Sequence, residues 1–184
     1  MRPRTLIIMV SILVVLAALF FVFSRPEPVP PAESRPFVWL FETDELRTIT
    51  LSLPLEDLSE TWVRHDDKLW YFDGPDGELV DMQRWGGGVP LLLSGPGAER
   101  LITESATDEQ LQSFGLNDPR MTIGLTLADG DTLSIAAGDV TLDGRAVYVT
   151  QVDSRAVFTV DTTWFEVLEG LVLEPPYAES VEPQ

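Results

Sequence analysis

Two stretches of this chain alternate between apolar and hydroxyl-bearing residues, and that pattern constrains the fold more than any other. Ile49, Leu51 and Leu53 interleave with Thr48, Thr50 and Ser52, while Met121, Ile123, Leu125 and Leu127 interleave with Thr122, Gly124 and Thr126. A side-chain period of two belongs to a strand with one face in a core and the other toward water. An antiparallel sheet is the expected product, because such sheets can leave one face solvated.

Turn residues organise the second half of the chain. Asp129-Gly130 returns it into Leu133, Ile135 and Ala137, and Asp143-Gly144 and Asp153-Ser154 set off Ala146 to Gln151 and Ala156 to Val160. This spacing predicts a four-stranded antiparallel meander. Upstream, Phe37 to Phe41 and Arg47 to Leu53 read as strands, and Trp62-Val63-Arg64 and Leu69 to Phe72 flank the polar turn His65 to Lys68 as a hairpin. Helices are few and short. Thr107 and Gln110 have capping-box spacing, with Gly115 placed where a left-handed C′ residue belongs. Trp164, Phe165, Leu168 and Leu171 share one face of a closing helix from Thr163 to Leu171. Asp81 is placed to cap a short helix that Gly86, Gly87, Gly88 and Pro90 interrupt or end. The fold class is α+β: an N-terminal transmembrane helix, short antiparallel strands ending in the meander, and a few short helices.

The membrane helix rests on Thr5 to Ser24, which carries no charge and follows Arg2 and Arg4. Twenty such residues span roughly 30 Å as a helix, about the thickness of a bilayer's hydrocarbon core. A cleaved signal peptide would end on small residues, whereas this run stays bulky through Phe20, Phe21 and Phe23. An uncleaved single-pass anchor in the inner or plasma membrane is expected, in contact with lipid. The basic tip stays cytoplasmic and the remainder is extracytoplasmic. Arg25 to Pro36, with prolines at 26, 28, 30, 31 and 36, reads as an extended spacer. The organisation expected is therefore 1–24 tip and anchor, 25–36 linker, 37–174 extracytoplasmic domain and 175–184 acidic tail.

Charge removes one class of partner. The chain has 12 basic and 30 acidic residues; once the four arginines and two glutamates before Phe37 are set aside, 8 basic face 28 acidic. Nucleic acid is repelled by such a surface, and docking on anionic lipid or binding phosphorylated ligands without a metal is disfavoured, because phosphate recognition wants clustered Lys and Arg. No cysteine is present, so no disulfide supports the fold.

The run Phe114-Gly115-Leu116, Asp118-Pro119, Asp129-Gly130, Gly138-Asp139, Tyr148-Val149 and Val157 to Val160 resembles domain-of-unknown-function family 4340. The hairpin ending in Trp70, the segment Asp81 to Leu93 and Arg100-Leu101-Ile102 match its general layout, so the resemblance covers nearly everything from Phe37 to Leu173. It implies one N-terminal anchor followed by an envelope domain, here in a single copy. Some members look associated with ABC-type transport systems, which makes such a membrane complex the implied partner.

No catalytic motif accompanies these signatures. His65, the single histidine, falls in the predicted turn, and Ser94 lacks the G-x-S-x-G elbow. Zinc would want Cys and His at close spacing, the glycine clusters lack the Lys-Ser/Thr of a phosphate loop, and Asp73 to Glu78 departs from the EF-hand pattern. Neither cofactor nor metal is expected, and the chain is read as non-enzymatic. Two functional classes follow. The first is a membrane-anchored accessory or interaction protein; the second is an envelope ligand-binding or hydrolytic module built from carboxylates scattered in sequence. For the first, Trp85, Leu91 and Leu92 are the candidate partner contacts, since tryptophan anchors interfaces and the leucines lie in an apolar run.

Overall fold

The computed structural model describes Leu13, Phe20 and residues 36–74, 77–85 and 88–177. Apart from Leu13 and Phe20, the apolar run Thr5 to Ser24 lies outside the described residues, as do the linker up to residue 35 and the tail beyond Tyr177. Among the described residues no helix is long and apolar enough to cross a membrane. The chain divides into two compact units, Met1–Ser34 and Arg35–Gln184.

The second unit is built on one antiparallel sheet. Its strands are β1 (Leu46–Leu53), β2 (Leu58–Arg64), β3 (Trp70–Phe72), β4 (Arg100–Thr103), β5 (Met121–Leu127), β6 (Thr132–Val140), β7 (Ala146–Gln151) and β8 (Val157–Asp161). They lie in the order β3-β2-β1-β5-β6-β7-β8-β4. The expected meander is present as β5 to β8. It is extended at both edges: β1 pairs with β5 through Ile49↔Leu125 and Leu51↔Ile123, and β4 pairs with β8. Among the described residues of the unit the helices are α1 (Val89–Ser94), α2 (Asp108–Ser113) and α3 (Thr162–Leu173), with a 3-10 turn at Thr43–Glu45.

Register explains the alternation. Across the sheet Trp62, Ile49, Leu125 and Leu133 align on one face, as do Leu51, Ile123 and Ile135, and most of these side chains are fully buried. α3 packs across this face against β1, β2, β7 and β8, burying Trp164, Phe165, Leu168, Leu171 and Val172. Its N-terminus is capped by Asp161, whose carboxylate accepts from the Thr163 N–H at 2.7 Å. The opposite face of β2, β1 and β5 carries hydroxyls. Thr50 and Thr61 share a hydrogen bond of 3.0 Å, and Ser52 and Ser59 one of 2.7 Å.

Toward β7 and β8 the hydroxyl face is covered. The capping box at Thr107 forms as its spacing predicts, with Gln110 N–H donating to Thr107 Oγ1 and Thr107 N–H to Gln110 Oε1. α2 ends in a Schellman arrangement: Gly115 has φ +69°, its N–H donates to the Gln112 carbonyl, and the Leu116 N–H reaches the Leu111 carbonyl. Phe114 then stacks on Tyr148 at 4.5 Å, and Leu116 joins Ala106, Ala136 and Val157 in a second apolar cluster.

Two sequence expectations are corrected. Phe37 to Phe41 is not a strand, although Phe37 makes one bridge to Gly97. Val38 and Trp39 are consecutive and both buried, which a period of two forbids, and the backbone instead bonds irregularly to Ser94, Pro96 and Ala98. Pro90 does not break a helix but opens α1. At the first turn its missing N–H has no intrahelical acceptor to lose, and its φ suits a helix start.

Candidate partner-contact site

Of the three predicted contact residues, the structure separates Trp85 from the two leucines. Asp81 caps a single turn, its carboxylate accepting from the Gln83 N–H and its carbonyl from the Trp85 N–H, and this turn drives the indole inward. Trp85 is 1% exposed. It meets Trp62 edge to face at 4.9 Å and lies 5.9 Å from Trp70, inside the aromatic end of the core. The indole expected to contact a partner thus lies in the core of the domain, with almost none of its surface at the exterior. Among the described residues the indole N–H groups of Trp62 and Trp85 have no hydrogen-bond partner. Aromatic rings are close neighbours of both indoles: Phe72 at 6.1 Å from Trp62, and Trp70 at 5.9 Å from Trp85.

Leu91 and Leu92 face out. α1 buries Val89, Pro90, Leu93 and Ser94 and leaves Leu91 66% and Leu92 37% exposed. Indoles anchor the helix from beneath: Trp39 Nε1 donates to the Leu93 carbonyl at 2.6 Å and Trp164 Nε1 to the Leu92 carbonyl at 3.0 Å. These two tryptophans meet edge to face at 6.2 Å. Immediately after α1, the 36–41 segment runs along residues 94–98, bringing Leu40 and Phe37 beside Gly95. Leu40 is 68% exposed and Phe37 50%. A Cβ at Gly95 would stand 2.7 Å from a Leu40 methyl, so the bare glycine lets this side chain lie flat against the backbone. Four apolar side chains thus project from two hydrogen-bonded segments where the chain enters its folded unit. The leucines were legible from composition; Phe37 and Leu40 were not, because the strand expected there would have buried every second residue.

The residues considered for catalysis lie apart. Ser94 is buried and its hydroxyl donates to the Leu91 carbonyl at 3.0 Å, a bond internal to α1. His65 sits in the exposed β2–β3 turn, its ring stacked on Tyr71 at 4.3 Å. Gly86, Gly87, Pro75 and Asp76 lie outside the described residues. Among the described residues no three Asp, Glu or His side chains converge as a metal site would require. A hollow of about 520 Å³ opens on the β4–β8–β7 side, with Glu99, Arg100, Asp143 and Tyr148 in its lining. Asp143 is held below the ordinary carboxylate range by the Thr141 hydroxyl and the Arg145 N–H.

Residues 94–170 match a family described as a domain of unknown function (DUF4340). That span runs from the last residue of α1 through most of α3 and takes in β4 to β8. No curated protein and no solved structure matches the chain.

Proposed function

We propose that this chain, whose residues 94–170 carry the DUF4340 domain, is a non-enzymatic accessory protein held in the inner or plasma membrane by Thr5 to Ser24. Its extracytoplasmic domain docks on a membrane protein complex, of which an ABC-type transport system is the kind its family resemblance suggests. The observation that carries this reading is the exposed apolar group Leu91, Leu92, Leu40 and Phe37. Their rigid indole-bonded support suits an interface, because side chains ordered beforehand lose less entropy on contact. A charge-poor patch is also where a chain with 30 acidic residues can approach another protein with least repulsion.

The test is a pair of substitutions, Leu91→Glu and Leu92→Glu, made together in the full-length chain. Both side chains point to solvent, so the thermal melt is expected to shift by no more than a few degrees. Recovery of co-purifying membrane proteins from solubilised membranes is expected to fall sharply. An unchanged pull-down with an intact fold would remove the patch from the interface.

A further inference from the structure

Basic side chains are scarce here, with 12 against 30 acidic, yet three of them line one hollow together with the sole histidine. Arg47, Arg64, Lys68 and His65 surround about 240 Å³ between the Thr43–Glu45 turn and the β2–β3 turn; Asp44 and Asp66 complete the wall. Arg47 Nη1 and Arg64 Nη1 both donate to one acceptor, the carbonyl of Asp44, at 2.7 and 3.2 Å. Two nitrogens bonded to the same oxygen can be no farther apart than the sum of those distances. Like charges held so close repel unless an anion joins them.

Asp44 and Asp66 stand in the wall, but among the described residues neither forms an ion pair with Arg47, Arg64 or Lys68. Among the described residues the ion pairs are Arg120–Glu169 and Arg155–Asp108, both elsewhere. Asp67, beside the hollow in sequence, is engaged away from it: its carboxylate accepts from the Tyr71 hydroxyl at 2.7 Å and the Leu69 N–H at 3.0 Å. Those bonds shape the turn, in which Lys68 takes a left-handed backbone with φ +67°. A second hollow of about 140 Å³ shares Arg64 and Lys68 and is also lined by the buried Trp70, Trp85 and Pro90 and by Met82, which is 41% exposed. Charge and apolar surface therefore adjoin.

From this geometry we infer a binding site for an amphipathic anion, its phosphate-monoester or carboxylate head on Arg47, Arg64 and Lys68 and its apolar body in the second hollow against Met82. Guanidinium groups suit such oxyanions because each presents several N–H donors in a plane. The ligand is either a soluble organic acid or the headgroup region of an anionic lipid. The site is separate from the patch around Leu91 and stands or falls without it.

The probe is phenyl phosphate, titrated calorimetrically into the full-length chain in a non-ionic detergent beside inorganic phosphate and the neutral benzyl alcohol. Saturable binding is expected for phenyl phosphate, about tenfold or more tighter than for inorganic phosphate, with none for benzyl alcohol. The double variant Arg47→Gln, Arg64→Gln should weaken it at least about tenfold. Lys68→Gln, in an exposed turn, should weaken it too, whereas Arg145→Gln, outside both hollows, should not. Adding phosphatidylglycerol to the micelles separates the sources: competition with phenyl phosphate supports a lipid headgroup, and its absence supports a soluble acid. Failure of phenyl phosphate to saturate, equal binding of benzyl alcohol, or undiminished affinity in both the double variant and Lys68→Gln would overturn the site.

Discussion

At the scale of single residues, the glycines of Phe114-Gly115 and Gly138-Asp139 have a steric cause. Phe114-Gly115 crosses directly over Gly138-Asp139, and the Asp139 N–H donates to the Phe114 carbonyl at 2.8 Å instead of to β7. The β6–β7 register slips between Ala137 and Val140, which is where this crossing diverts β6. A Cβ at Gly138 would overlap the Phe114 carbonyl oxygen, and one at Gly115 would lie 2.9 Å from the Asp139 nitrogen at φ +69°. By contrast Gly130, at φ +94°, has nothing within 4 Å of such an atom. The three therefore form a graded series. Gly130→Ala should cost about 1 kcal/mol from backbone strain alone. Gly115→Ala should cost about 2–3 kcal/mol as strain and crowding combine. Gly138→Ala should cost the most, because backbone cannot yield as a side chain can. Urea denaturation midpoints rank them, and equal shifts for all three would show that contact with the crossing chain does not matter.

At the scale of elements, periodicity and capping were the legible signals and consecutive burial was not. Ile49 to Leu53 and Met121 to Leu127 announced β1 and β5, Thr107 and Gln110 announced α2, and the apolar face from Trp164 to Leu171 announced α3. Each encodes its state in residues close in sequence. Phe37 to Phe41 and Trp85 did not, since what buries Trp39 and Trp85 is supplied by Leu93, Trp164, Trp62 and Trp70 from other elements. The basic hollow was equally silent: Arg47 and Arg64 meet only because β1 and β2 pair. Capping adds a pH dependence to α3. The Thr163 hydroxyl and N–H hold Asp161 below its ordinary value, so its ionised form favours the folded state. That contribution is complete above the usual aspartate range and is lost as pH falls through the lowered value. Asp161→Ala should cost about 1 kcal/mol at neutral pH, with the gap from wild type closing in acid. Asp161→Asn, which caps without titrating, should keep most of the stability at both ends of a pH series of thermal melts. A gap that stays constant with pH would show that the carboxylate charge is not what caps α3.

At the scale of the whole molecule, the family match and the sheet do not share a boundary. Residues 94–170 include β4 to β8, but β5 reaches its other neighbour, β1, from outside that span. Six register pairs, Leu46↔Leu127 through Ser52↔Thr122, join the two strands. Cutting the chain at residue 94 would strip β5 of this partner and lay bare Met121, Ile123 and Leu125 along an open row of backbone donors and acceptors. A β-branched and apolar strand with an unpaired edge is a template for other copies of itself. The isolated segment 94–170 should therefore assemble into sheet-rich oligomers, visible as rising light scattering, where residues 35–184 stay monodisperse. A monodisperse 94–170 fragment with native circular dichroism would show that β5 tolerates the loss. Otherwise, the smallest piece of this chain that can exist alone is larger than the piece that resembles the family.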